Sequence, residues 1–350
     1  MHPSRPARSI SFAALLLLLA GLLPSTACET GGRAANASTG DDDVSRGSFA
    51  DLPEEPETTA SSEFWDHWGD GKAELAGYRG EISRYGELRS ATAVMIYVTE
   101  PHDRRTWVKD NSVSEPHRVD VLKLNRTLKF QTGTYPYSVM TSVFSPVDDW
   151  GRARFQPTKI TMSSQEWCGN VFSGLWPGPE TAFHELRSYF ASEGDSSRRF
   201  SPPEGTLYQD ALPIQLRELD GPFNGGEDWS GDLVPSLWHA RKDHVELAPV
   251  EATIERTDAS VDGTPVHRFT LSYADVEITY DIEREAPHRL VRWTHSDGSH
   301  LELIKSTRLP YWKLNEKGDE SYREELGLEP RVRDRPPAPG EGADSETDAK

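Results

Sequence analysis

Cys168 stands in the stretch TMSSQEWCGN, residues 161–170, and is one of only two cysteines in 350 residues. A thiol becomes a nucleophile when a helix N-terminus or a neighbouring histidine lowers its pKa. The nearest downstream base is His184, in FHELRSYF. A second group with chemistry to offer is His295 and His300, which flank Asp297-Gly298. Facing each other across a hairpin, two imidazoles can share one metal, with Glu302 on the same face. The third signal is aromatic. Tyr135, Tyr137, Trp167, Trp176, Trp238 and Trp293 fall near strand ends, in a chain with ten tryptophans. Such side chains can line an apolar cleft.

Each signal has a plainer reading. VFSGLWPG follows Cys168 and reads as a strand ending in a Pro-Gly turn, not as a helix. The spacing from Gln165 to Cys168 is shorter than in papain-like enzymes, and their Cys-Gly-Ser-Cys-Trp pattern is missing. The expectation is therefore a buried, inert Cys168, with a catalytic Cys168–His184 pair as the alternative and a redox or metal role third. For His295 and His300 the expectation is a solvated hairpin tip and no metal, because two imidazoles leave a zinc site incomplete. His239 and His244 would point to opposite faces of a strand. Asp41–Asp43 and Asp148-Asp149 lack an EF-hand pattern. There is no Walker loop, dinucleotide glycine fingerprint or Gly-x-Ser-x-Gly elbow, and no cofactor is expected. Most of the aromatics are expected to fill a core, with an apolar cleft as the functional alternative.

The elements that would carry these residues are β-strands. In VHRFTLSYADVEITYDIE, residues 266–283, a turn at Ala274-Asp275 pairs Tyr273 with Val276, Leu271 with Ile278 and Phe269 with Tyr280. All the apolar side chains then share one face. A second hairpin spans 288–306 around Asp297-Gly298, a favoured two-residue turn. Further strands are expected over Glu74–Ser83, Thr92–Thr99, Val119–Phe130, Tyr137–Ser145, Lys159–Ser164, Val171–Trp176 and Glu251–Thr257, with helices over Pro213–Leu219 and Ser321–Leu326. The fold class is mainly β: one or more curved antiparallel sheets, an open β-barrel or a sandwich, with few short helices.

The ends are different in kind. Residues 1–28 run from a basic start at Arg5 and Arg8 through an apolar stretch, Phe12 to Leu23, to the small residues before Cys28. That layout is a secretory signal too short to span a bilayer comfortably. It resembles a bacterial lipoprotein signal, which implies lipidation of Cys28 and a membrane anchor through the acyl chains. If Cys28 carries lipid, Cys168 has no intramolecular disulfide partner. Residues 29–62 are small, polar and acidic and read as a disordered tether; 328–350 read as a disordered tail. Residues 63–327 are the expected β-rich domain, with possible halves 63–200 and 230–315. Formal net charge is −19, most of it in that domain, which argues against nucleic acid as a partner.

Two resemblances add to this. Residues 64–176, with TGTYPYS and SSQEWCG, resemble uncharacterised bacterial secreted proteins often labelled "septum formation inhibitor Maf". The label implies a cytoplasmic nucleotide pyrophosphatase with Ser-x-Ser-x-Arg-Arg near its start, a motif this chain lacks. Residues 232–306 are similar to periplasmic open-β-barrel domains of unknown function. The expected function is a non-enzymatic, lipid-anchored periplasmic protein, at the outer membrane because Glu29 is not an inner-membrane Asp signal. It would bind an apolar ligand or an envelope protein. A cysteine hydrolase using Cys168 and a purely structural envelope protein are the alternatives.

Overall fold

The computed structural model describes residues 53–329 apart from 220–222 and 224. Cys28 and most of the expected leader, tether and tail lie outside the described residues. The chain enters through α1 (Ser62–Trp68) and then forms β1 (Ala73–Arg84), β2 (Glu87–Asp103), β3 (Val108–Lys109), β4 (Arg118–Thr132), β5 (Tyr135–Pro146), β6 (Lys159–Glu166), β7 (Gly169–Pro177), β8 (Ala182–Ser188) and β9 (Ser196–Phe200). After β10 (Leu207–Tyr208) come α2 (Leu212–Glu218), β11 (Trp229–Val234) and α3 (Leu237–Asp243). The last meander is β12 (Val250–Val261), β13 (Thr264–Tyr273), β14 (Val276–Glu283), β15 (Leu290–His295) and β16 (His300–Leu309).

All of these strands belong to one curved sheet that does not close. Its order is β10-β11-β12-β13-β14-β15-β16-β1-β2-β4-β5-β6-β7-β8-β9, with β3 paired to β2. Two antiparallel meanders are joined where β16 pairs with β1. Among the described strands only β10 and β11 pair in parallel. The alternation in β13 and β14 places Tyr273 opposite Val276, Leu271 opposite Ile278 and Phe269 opposite Tyr280, the expected register.

What fills the inner face is the segment between the meanders. α2 is buried from Leu212 to Arg217, and its Leu212, Ile214 and Leu216 join the hydrophobic core. Its buried guanidinium, that of Arg217, is neutralised at close range. Arg217 donates to both carboxylate oxygens of Glu74 on β1, at 2.8 and 3.0 Å, and to the Pro287 carbonyl at 2.9 Å. The guanidinium also lies 4.4 Å from the Tyr97 ring centroid. α3 starts at Ser236, whose hydroxyl accepts from the Trp238 N–H. Asp210 and Gln209 accept the N–H groups of Leu237 and Ser236, each at 2.9 Å. These contacts dock α3 against the turn before α2.

Three sequence expectations need correction. Residues 237–243 form a helix, so His239 points inward and His244 caps the C-terminus at φ 54°. The 295–299 turn has three residues rather than two: Gly298 N–H donates to the His295 carbonyl, and His295 N–H donates to that of Ser299. This is a type I turn continued by Gly298 at φ 90°, a favoured alternative for Asp-Gly. The ordered chain also starts before residue 63. Glu57 N–H donates to the Asp149 carbonyl at 2.7 Å, and Ala60 N–H to the Asp148 carboxylate at 2.7 Å.

Candidate functional site

The structure separates the Cys168 and His184 pair. Cys168 is exposed and free in the tight turn between β6 and β7, which overturns the expectation of a buried thiol. Strand alternation stops at Glu166 because the chain reverses there, leaving Trp167 73% exposed. The Glu166 carboxylate accepts the Cys168 N–H at 2.7 Å. Hydrogen bonding to that same carboxylate pushes the thiol pKa up, opposite to an activated nucleophile. His184 sits opposite Leu175, six residues along β7 from Gly169. At about 3.3 Å per residue that is roughly 20 Å from the thiol's turn.

The histidines of the last hairpin do not meet either. His300 pairs with Thr294, and His295 bonds to Ser299, so the two imidazoles leave from opposite faces. His295 turns inward to lie 4.7 Å, centroid to centroid, from His239. Burial drives the His239 pKa well below its usual range, helped by His295 and Lys242. Among the described residues no group of three or more His, Cys, Asp and Glu side chains is placed to hold a metal.

The aromatic candidates divide between core and surface. Tyr137 stacks on Phe130 at 4.9 Å, with Tyr135 and Trp238 beside it, and Trp293 lies 6.1 Å from His239. The gap next to Trp238 and Trp293 is about 20 Å³, room for a single water and no more. These side chains fill space. Trp176 alternates with core-facing Leu175 and packs on the outer side against Phe183.

Two larger cavities lie elsewhere. One, about 360 Å³, is on the outer face of the sheet beneath residues 311–328. Leu75, Val94, Ile96, Leu309, Leu326 and Leu328 line it, with Thr92 at its wall. This strap is held by Arg79 donating to the Gly327 carbonyl at 2.6 Å and Thr307 to Glu325 at 3.2 Å. Gly77 permits the approach, since a Cβ there would run into the Leu326 backbone carbonyl. The sequence hints at this site only through Leu326 and Leu328, apolar residues in a polar C-terminal stretch.

The other cavity, about 380 Å³, lies between α3 and β7–β9. Its wall carries a Ser173–His184 pair, Oγ to Nε2 2.9 Å. Burial, then the Arg198 charge, push the His184 pKa down to about 4, so the imidazole is neutral at pH 7. A neutral histidine beside a hydroxyl is half of a nucleophilic arrangement. No carboxylate among the described residues bonds the other nitrogen, so the orienting third member is missing. Glu193, Arg198, Arg241 and Glu246 add charge around apolar Leu186 and Leu237. Ser173, Arg241 and Glu193 carry no shared signal in the sequence, because a strand, a helix and a turn from three separate segments bring them together. No protein-family model matches the chain, and neither a curated protein nor a solved structure does.

Proposed function

We propose that this protein is a non-enzymatic, lipid-anchored component of the bacterial cell envelope that faces the periplasm and binds an apolar ligand. The observation that carries the reading is the 360 Å³ cavity under the 311–328 strap, whose wall carries five leucines, a valine and an isoleucine, with Lys129, Asp319 and Arg323 also lining it. Pockets of a few hundred Å³ with such linings suit small apolar ligands. The lipoprotein-like leader supports the anchor, and Glu29 after Cys28 favours the outer membrane. The cysteine-hydrolase alternative has no geometric support, given the distance between Cys168 and His184.

Fluorescence titration of the full chain with the neutral probe phenylnaphthylamine tests the ligand. Thr92→Trp, from a half-buried position at the cavity wall, should fill the space and weaken binding by tenfold or more, about 1.4 kcal/mol. Equal affinity for the wild type and a folded Thr92→Trp variant would remove the proposed site.

A further inference from the structure

The cavity between α3 and β7–β9 differs from the strap cavity in holding a nearly buried guanidinium with unused donors. The Arg241 side chain is 10% exposed, and its Nε faces Glu193 Oε2 at 3.2 Å. That Nε makes no hydrogen bond, and neither Nη bonds a described residue. The guanidinium carbon lies 5.5 Å from the Phe190 ring centroid. A guanidinium carries five donors in a planar fork; here the buried Nε is left unmade, and the two Nη groups are not among the buried orphaned atoms, so they remain open to a ligand from the cavity. The other charged groups here are already occupied. Arg198 donates to Glu246 and to the Leu247 carbonyl. Glu193 accepts from the Ser188 hydroxyl at 2.6 Å and lies 3.5 Å from His244 Nδ1. Leu186, Leu237 and Leu247 supply an apolar wall opposite these charges.

We propose that this cavity binds a small organic anion, a carboxylate or sulfonate on a compact apolar body. The Arg241 fork grips the anionic group, and the leucines hold the body. Two guanidinium groups are matched here by two carboxylates, so recognition comes from donor geometry rather than net charge. The site is separate from the strap cavity and does not depend on that reading.

Two probes with one ring system test it: anilinonaphthalene sulfonate and neutral phenylnaphthylamine. Both are titrated into the full chain carrying Thr92→Trp, so that the strap cavity is closed. The sulfonate should bind saturably, and Arg241→Gln should weaken it by tenfold or more while phenylnaphthylamine is unaffected. Val245, 56% exposed at the rim, provides a second arm that leaves the core alone. Val245→Glu should weaken the sulfonate and Val245→Lys strengthen it. No saturable sulfonate binding, unchanged affinity in Arg241→Gln, or equal loss of both probes overturns the proposal. If Arg241→Gln does not fold, the Val245 pair decides: opposite shifts support it, and no shift overturns it.

Discussion

At the scale of single residues, Cys168 shows how a neighbouring carboxylate raises the pKa of a thiol in contact with solvent. Its neighbour Glu166 accepts hydrogen bonds and adds negative charge, both of which disfavour a thiolate. Alkylation of the native protein followed against pH should therefore show a midpoint above that of a free cysteine. Glu166→Gln should lower that midpoint and speed labelling; a midpoint indifferent to Glu166 would refute this account. Cys168→Ala should leave the urea midpoint essentially unchanged, as expected for an exposed position. His102 is the opposite case. It is 1% exposed, neither ring nitrogen has a hydrogen-bond partner among the described residues, and it packs 5.4 Å from Phe144. Burial, then the Lys159 charge, push its pKa down to about 4. His184 is also held at about 4. Between pH 6.5 and 4 the unfolded chain binds protons that these folded-state imidazoles refuse. Their contribution is thus complete above pH 6.5 and drains away as pH falls toward 4. Each should cost on the order of 1–2 kcal/mol between pH 7 and pH 5. His102→Phe keeps a ring and removes the proton site, so the urea midpoint should fall less on going from pH 7 to pH 5. An unchanged difference would mean His102 does not titrate as described.

At the scale of elements, α2 is held by one ion pair more than by its own helical propensity, since seven residues are too few to be stable alone. Glu74 is 2% exposed and Arg217 1%. Burial alone would raise the Glu74 pKa, yet the Arg217 charge and the His67 and Arg217 hydrogen bonds hold it at about 2. Removing one partner leaves the other charge buried and unmatched. Glu74→Gln should destabilise the protein by about 3–5 kcal/mol. Joint replacement by apolar residues of similar volume, Glu74→Leu with Arg217→Met, should recover much of that loss. Urea denaturation of the single and double variants checks both; a single variant within about 1 kcal/mol of wild type would show that water reaches the pair.

At the scale of the whole molecule, the open sheet leaves β9 and β10 as its two edges, while the segment between the meanders occupies its inner face. The cavities consequently lie at the sheet's end and on its outer face rather than in a central lumen. No described helix is long and apolar enough to cross a membrane. If the proposed anchor is right, Cys28→Ser should move the protein from the detergent-extracted membrane fraction to the soluble fraction. Continued detergent-dependent association of that variant would discard the lipid anchor.

Local pattern was enough to read the β13–β14 hairpin, most of the long strands and α2, because strand period and turn residues are properties of neighbouring positions. Residues 237–243 were misread because Leu237-Trp238 and Ala240 fit a short apolar run of either kind. Docking against Gln209 and Asp210, 27 residues upstream, goes with the helix. The same long-range packing turned His295 toward His239 instead of His300, put Tyr137, Trp238 and Trp293 into the core, and built both cavities. Leu75 and Leu328 share one wall, and Ser173 and Arg241 share another. Composition and periodicity pointed to a mainly β, antiparallel fold with few short helices, and left open whether its strands form one sheet, an open barrel or a sandwich. Which side chains enclose a ligand-sized space was decided only by how distant segments close over that sheet, since burial is a property of the folded surface and not of any short stretch of chain.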